Sequence, residues 1–296
     1  MPSTYAAMKY RSYAKVNLYL DVLQKRPDGY NNIETLFQTV SLFDELTFEE
    51  QKNRVSLTCS GAELDTGEEN LVCRAARVLR EHTGCKMGAR IHLRKQIPIA
   101  AGLAGGSGNA AATLIALNEL WGIGWRLDQL RTLAAELGSD VPYCTLGGTA
   151  AATGRGEELE ALPFFGEKWF VLVHPPIAVS AAHIYNHPAL ERNRQPLRAG
   201  RTPDFHAALN ALAEGRLAER VFNRMESAVF AEHPRLRETK QALLDFGCAA
   251  AAVSGSGPTL FGLCADRRQA ESVAEHLTDH ATSVVSAVPI GVERAD

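Results

Sequence analysis

No two of the six cysteines (Cys59, Cys73, Cys85, Cys144, Cys248, Cys264) stand in a CxxC pair, and none has metal-ligand spacing. That excludes a cysteine metal site, and apolar surroundings such as FGLC fit reduced, buried thiols. No apolar run approaches the roughly 20 residues of a membrane span. The first stretch, MPSTYAAMKYRSYAK, lacks a hydrophobic signal core. These absences predict a soluble, cytoplasmic protein. Strong charge of either sign is also missing: 31 Lys and Arg against 34 Asp and Glu leave a net charge of −3. That argues against broad nucleic-acid binding. There is no internal repeat and no low-complexity tract. The 296 residues, 46% hydrophobic and 22% charged, suffice for one large domain or two of average size without disulfide staples.

What is present is a mixture of periods. Val16, Leu18, Leu20 and Val22 alternate with Lys15, Asn17, Tyr19 and Asp21, which predicts a half-buried strand with Lys15 and Asn17 on one face. TLFQTVSLFDELTFEE, RVSLTC and ARIHLRKQI read as further strands. NLVCRAARVLREH reads as a helix ended by Gly84, and LDQLRTLAAELG as one ended by Gly138. After KWFVLVHPP the pattern turns helix-rich, through FHAALNAL, LAERVFNRMESAVF and PRLRETKQALLDFG. AAAVSGSGPTLFGLC is strand, glycine turn, strand, and the chain closes on the helix DRRQAESVAEHL and the strand SVVSAVPIGV. Strands accompany helices in both halves without a regular βαβ count. The fold class expected is α+β in two lobes dividing near 155–165, written as 1–160 and 161–296.

PIAAGLAGGSGNAAATLIALNELWG puts Gly102, Gly105, Gly106 and Gly108 at the mouth of a predicted helix carrying Leu114, Leu117, Leu120 and Trp121 on one side. The first N–H groups of a helix have no internal partner and lie at the positive end of its dipole. Glycines there let backbone amides approach an anion closely, and a phosphate is the natural candidate. A tight turn alone would need only one or two of them. No GK[ST] follows, and no GxGxxG with a later acidic residue is formed. Asp140 in LGSDVPYC and Ser254–Gly257 in AVSGSGPT are, singly, ordinary turn residues.

In order, AKVNLYL, PIAAGLAGGSGNAA, GSDVPYC and VSGSGPT resemble the GHMP kinases, a family that includes galactokinase, homoserine kinase and mevalonate kinase. KRPDGYNNIETLFQTV and the NLVCRAA segment are most similar to the branch whose acceptor is CDP-methylerythritol, on the non-mevalonate route to isoprenoids. The resemblance spans about Tyr10 to Gly291. It implies a two-lobed α+β kinase with ATP on the N-terminal lobe and the acceptor in the cleft. The reaction implied is transfer of the γ-phosphate to the 2-hydroxyl of that small molecule.

The same resemblance implies residue roles. Asp140 takes or orients the hydroxyl proton, and Lys15 keeps Asp140 ionised and offsets phosphate charge. The ATP set is Asn70, Lys95, Pro98, Ala101, Gly102, Leu103, Ala104, Gly105, Gly106, Ser107, Gly108 and Asn109. Asn70 and Lys95 read equally well as a helix cap and an exposed strand lysine. Asn17, Tyr30, Asn31 and Tyr185 form the acceptor set, with the two tyrosines stacking on cytosine; Tyr185 reads equally well as core packing. No carboxylate cage for a metal is apparent, so magnesium is expected to be held mainly through the phosphates. Partners beyond the small molecule are not implied: no nucleic acid, no membrane, and a monomer or weak homodimer.

Three positions depart from the family pattern. Asn31 stands where DGYH has histidine, Gly108 replaces the second serine of GGSS, and Ala181 stands where threonine is common. They keep two alternatives open: another small alcohol such as homoserine or mevalonate as acceptor, or a nucleotide-binding protein without catalysis.

Overall fold

The alternation of residues 14–23 extends, in the computed structural model, into an 18-residue strand, β1 (Met8–Lys25). The structure describes residues 7–296; the first six, on which part of the signal-core expectation falls, lie outside the described residues. The strand is not half-buried: Lys15, Asn17 and Asp21 are as inaccessible as their apolar neighbours. Ala14, Val16 and Leu18 pack with Phe170, Leu172 and Phe261 of a second sheet. The polar side chains opposite are kept dry by neighbouring elements and must be paired internally. A register shift between Asn17 and Tyr19 interrupts the ladder, the kind of irregularity that re-aims side chains.

The larger sheet runs in the order β12 (Val292–Arg294), β1, β2 (Asn31–Gln51), β4 (Gly88–Arg94), β3 (Val55–Ser60). Off this path, β5 (Thr149–Thr153) joins β2 and β6 (Glu158–Ala161), and β8 (Phe222–Asn223) pairs with β1. Against this sheet pack α1 (Leu71–Thr83), α2 (Gly105–Leu120), α3 (Leu127–Ala134) and α4 (Val141–Leu146) around Phe48, Leu79, Ile91, Leu114 and Tyr143. The second sheet is β11 (Ala281–Ser286), β7 (Trp169–His174), β10 (Leu260–Cys264) and β9 (Ala250–Val253), antiparallel throughout. With it go α5 (Ala181–Asn186), α6 (Pro203–Ala213), α7 (Glu226–Glu232), α8 (Arg235–Asp245) and α9 (Arg267–His276).

Several elements differ from the expectation for tertiary reasons. LAERVFNRMESAVF is not one helix: a 3-10 turn, β8 and α7 divide it. Asn223 causes the break, because its Oδ1 accepts from the Met225 amide and its Nδ2 donates to the Val253 and Gly255 carbonyls. The final strand splits into β11 and β12, and β12 leaves the second sheet to pair with β1. Helix α2 is buried nearly all round rather than along one side. α3 stops at Ala134, short of Gly138. Pro142 stands in the first turn of α4, where its missing N–H costs nothing. Among the described residues no helix is long and apolar enough to cross a membrane.

Candidate active site

The loop before α2 carries alternating left-handed residues: Ala100 (φ 53°), Gly102 (φ 75°) and Ala104 (φ 56°). Such alternation turns successive backbone N–H groups toward one point, making an anion-binding nest. The two alanines sit where a Cβ is disfavoured, a strain the surroundings must hold. Gly102 is required twice over. A Cβ there would also lie 2.1 Å from the Ser254 carbonyl oxygen. The VSGSGP turn therefore leans directly on this loop, and Ser254 Oγ donates to the Gly102 carbonyl at 2.9 Å.

Gly105, Gly106 and Gly108 are not a loop before the helix, as the sequence suggested, but its first turns. Gly105 is small to admit the Lys95 ammonium, which a Cβ would meet at 2.9 Å, and Gly108 to admit Ser12 Oγ at 3.2 Å. The amides of Gly105, Gly106 and Ser107 precede the first helical bond, Gly108 N to Ala104 O at 2.8 Å. They are the free donors of the helix mouth. With no acidic residue in that turn, the mouth is electrostatically set for an anion.

Lys95 is neither an exposed strand lysine nor a free cation. Its Nζ lies 2.6 Å from Asp44 Oδ2 and 2.6 Å from the Ile97 carbonyl, and both side chains are buried. Burial pulls the Lys95 ammonium below its ordinary pKa, with Asp44 opposing. Asp44 Oδ1 also accepts from the Gln96 and Ile97 amides. Asp44 thus clamps the start of the loop from behind. Asn70 caps α1: Oδ1 accepts from the Val72 amide at 2.9 Å and Nδ2 donates to the Asp65 carbonyl at 2.6 Å. Asn109 Oδ1 accepts from Ser12 Oγ at 2.7 Å.

Two cavities meet at this loop and share Ala100, Gly102, Ala104 and Ser107. The first, of about 410 Å³, is lined by the loop, Asn70, Leu71 and Lys95. Of the expected ATP residues, only Gly108 lies outside its lining. The second, of about 660 Å³, brings together Lys15, Asn17, Tyr30, Asn31, Asp140, Ala181 and Tyr185. Larger grooves of about 870 Å³ and 1080 Å³ contain none of these residues.

Lys15 Nζ donates to Asn17 Oδ1 at 2.7 Å and lies 3.5 Å from Asp140 Oδ2. Asn17 Nδ2 donates to Thr35 Oγ1, which donates to the Tyr19 carbonyl. The ammonium is therefore fixed from below, while the carboxylate, at the start of α4, is one-third exposed to the cleft. Burial first and the Asp140 charge second raise the Tyr185 phenol well above its usual range, placing that ring within the field of the pair. Tyr185 both lines the cavity and packs on the apolar core. Tyr30 is exposed, with the Arg155 guanidinium 4.8 Å over its ring. Arg155, Gly255 and Ser256 also line the cavity but were not expected there. The SGSGP turn was the available signal for the last two; nothing local marks Arg155.

The cleft offers a metal ion one carboxylate, already paired with Lys15, and the serine hydroxyls of Ser107, Ser139 and Ser256. This donor set fits a magnesium ion carried by phosphates and not one caged by protein. Elsewhere among the described residues, His183, His187 and Glu232 cluster at α5 and α7. His183 Nε2 there pairs with Glu232 at 3.1 Å, and His187 Nδ1 accepts from the Ala189 amide.

A nest and a free helix mouth beside a lysine–carboxylate pair define a phosphotransferase cleft. The models for the GHMP kinases N terminal domain and the GHMP kinases C terminal match residues 70–148 and 193–282. A 4-diphosphocytidyl-2-C-methyl-D-erythritol kinase of Pelotomaculum thermopropionicum is 45% identical over 265 residues, 88% of this chain and 90% of its own. A crystal structure of a 4-(cytidine 5'-diphospho)-2C-methyl-D-erythritol kinase superposes with a TM-score of 0.79 at 34% identity, covering 95% of this chain and 99% of that one. Homoserine kinase from Cytophaga hutchinsonii, at 20% identity and a TM-score of 0.78 over 100% and 99% of the two chains, shares the fold. The class is thus a two-lobed α+β GHMP kinase. Within it, the chain belongs to the 4-diphosphocytidyl-2-C-methyl-D-erythritol kinase family.

Proposed function

We propose that this kinase transfers the γ-phosphoryl group of ATP to the 2-hydroxyl of 4-diphosphocytidyl-2-C-methyl-D-erythritol, in the non-mevalonate route to isoprenoid precursors. The observation that carries the reading is the meeting of two cavities at Gly102 and Ser107, one lined by the nest, the other by Lys15 and Asp140. Phosphoryl transfer has a loose transition state, so positioning and charge stabilisation supply most of the rate.

In this reading the amides of Gly105, Gly106 and Ser107 hold the triphosphate at the helix mouth. Asp140 Oδ2 accepts the proton of the attacking hydroxyl. Lys15, held by Asn17, keeps its proton and offsets charge growing on the phosphoryl oxygens. The Ser107 hydroxyl, which lines both cavities, would be a candidate ligand for magnesium, which would neutralise part of the phosphate charge. Tyr30 and Tyr185 flank the cytosine. Lys95, held by Asp44 and the Ile97 carbonyl, and Asn70, held between the Val72 amide and the Asp65 carbonyl, shape the nucleotide cavity. The lobes are taken as 1–160 for the nucleotide and 161–296 for the acceptor, with β12 returned to the first sheet. A cytoplasmic monomer or weak homodimer belongs to the same reading.

The test is incubation of purified protein with ATP, magnesium and the cytidyl acceptor. ADP and a 2-phosphorylated product, read by phosphorus NMR, are expected. Folded protein that yields neither, but turns over homoserine or mevalonate, overturns the acceptor.

A further inference from the structure

On the far side of the segment 64–71 from the nucleotide cavity lies a groove of about 870 Å³ that takes no part in the proposed reaction. Its floor is apolar, from Val55 and Leu57 on one face of β3 and Cys73 on α1. Its rim is basic. Arg77 and Arg80 continue the Cys73 face of α1 at helical spacing, and Arg54 and Lys86 complete the rim from the approaches to β3 and β4.

Four cations meet two carboxylates there, Glu68 and Glu81, and none of the six is in an ion pair with a described residue. The side chains of Arg54, Arg77 and Lys86 make no hydrogen bond to a described residue either. Arg80 is held: its Nε donates to the Cys85 carbonyl at 3.3 Å and its Nη1 to the Asn53 carbonyl at 3.4 Å, with Nη2 unused. Gathered cations without partners repel one another, a cost that an anion in the groove would remove.

The segment 64–71 is a wall with two faces. Thr66, Gly67 and Glu68 line the groove, while Asp65, Asn70 and Leu71 line the nucleotide cavity. Hydrogen bonds make this wall one body with α1. Asp65 Oδ1 accepts from the Gly67 amide at 2.9 Å, and the Asn70 amide donates to the Gly67 carbonyl at 3.1 Å. Cys73 Sγ donates to the Thr66 carbonyl at 3.7 Å. A molecule that draws the α1 arginines inward therefore moves residues of the nucleotide cavity.

We propose that this groove is a regulatory site for a small phosphate ester bearing an apolar group, coupled to the nucleotide cavity through residues 64–71. The phosphate takes the unused guanidinium donors, and the apolar group covers Val55 and Leu57. Four cations less two carboxylates leave two positive charges, which match a phosphate dianion. The volume is that of a small-molecule site. Only the coupling rests on the function proposed above; the binding does not.

Titration calorimetry with octyl phosphate tests this and needs no turnover. Saturable one-to-one binding is expected below about 1 mM. Inorganic phosphate should bind at least about tenfold more weakly for want of the chain, and octanol not measurably. Arg77 is exposed and its side chain bonds no described residue, so Arg77→Gln should fold as wild type; it should weaken octyl phosphate about tenfold. At saturating ADP the ester should still bind one-to-one, with its Kd shifted by about fivefold or more. Linkage demands the same shift in the Kd of ADP when the ester is present. No binding by the wild-type protein overturns the site, as does an Arg77→Gln variant that binds as tightly. Inorganic phosphate or octanol binding as tightly as the ester overturns it too. Competitive displacement by ADP assigns the ester to the nest and overturns the groove, and binding without effect on ADP overturns the coupling. A protein that shows both effects yet phosphorylates no cytidyl acceptor leaves the groove standing and removes the function alone.

Discussion

Lys15 Nζ lies 3.5 Å from Asp140 Oδ2, and the two ends of this pair live in different surroundings: the lysine side chain is 4% exposed, the aspartate 33%. The ammonium is immobilised by Asn17 at 2.7 Å, and Gly255, in the left-handed region at φ 57°, closes over both: a Cβ there would touch Nζ at 3.5 Å and Asn17 Oδ1 at 3.6 Å. The carboxylate keeps its open side toward the cleft. In the proposed mechanism the group that exchanges a proton with the acceptor is thus the accessible one, and the group that only holds charge is sealed.

Asp140→Asn preserves shape and removes the proton acceptor. It should lower kcat by about 10²–10⁴-fold, the usual worth of positioned acid–base catalysis, with KM for ATP within about twofold of wild type. Lys15→Met should cost about 10²–10³-fold through lost charge stabilisation. Because the two act as a unit, the double variant should be little worse than the poorer single one. Steady-state kinetics on all three proteins checks this; fully multiplicative losses would show that the residues act independently.

Asp44→Asn leaves the Lys95 ammonium buried against a neutral amide. Breaking a buried pair in this way costs about 3–5 kcal/mol, read as a drop in unfolding free energy by denaturant titration. Burial already lowers the Lys95 pKa. The deficit should therefore narrow as pH rises and the lysine gives up its proton, and widen as pH falls. A loss independent of pH would mean that Asp44 matters through its bonds to the Gln96 and Ile97 amides alone.

His174 supplies a second pH dependence, also from burial of a basic group. Burial lowers its pKa below the ordinary 6.5, with its ring nitrogens set toward Thr259 Oγ1 and Ser283 Oγ. The unfolded chain then binds a proton near pH 6.5 that the folded chain refuses. Stability should fall as pH drops from 6.5 through the folded value, since stability declines wherever the unfolded state holds more protons. His174→Gln should flatten the melting-temperature curve below about pH 6.5; an unaltered slope would assign it to other groups.

The periods in the sequence were enough for most of the frame. β1, β2, α1 with its Asn70 and Gly84 caps, and the β9–β10 hairpin all follow from local pattern and turn chemistry. What escaped is long-range. Nothing near Val292 announces that β12 crosses back to β1. Asn223, which breaks a helical pattern, does so through carbonyls of Val253 and Gly255 thirty residues on. The burial of Lys95 depends on Asp44, fifty-one residues away. The glycines at the mouth of α2 drew attention to the right place for a partly wrong reason: Gly105 and Gly108 make room for Lys95 and Ser12, while the nest is built with Ala100, Gly102 and Ala104.

Gly102 is where the two lobes touch at the nest, so it tests whether that contact serves binding or only packing. An alanine there must adopt φ near +75° and place its Cβ 2.1 Å from the Ser254 oxygen. The left-handed backbone alone costs an alanine about 1–2 kcal/mol. The clash cannot be relieved by a rotamer, because both atoms are tied to backbone, so loop and turn must separate. Lys15 N, which donates to the Leu103 carbonyl at 3.1 Å, would be drawn along with the loop. Gly102→Ala should therefore raise KM for ATP and lower kcat together, while modestly lowering the melting temperature. Gly106→Ala, whose Cβ meets only Leu71 Cδ1 at 3.5 Å, is the matched control and should fold with wild-type stability. If Gly102→Ala lowers stability yet binds ATP with unchanged affinity, the left-handed loop is a packing device and the phosphates are held elsewhere.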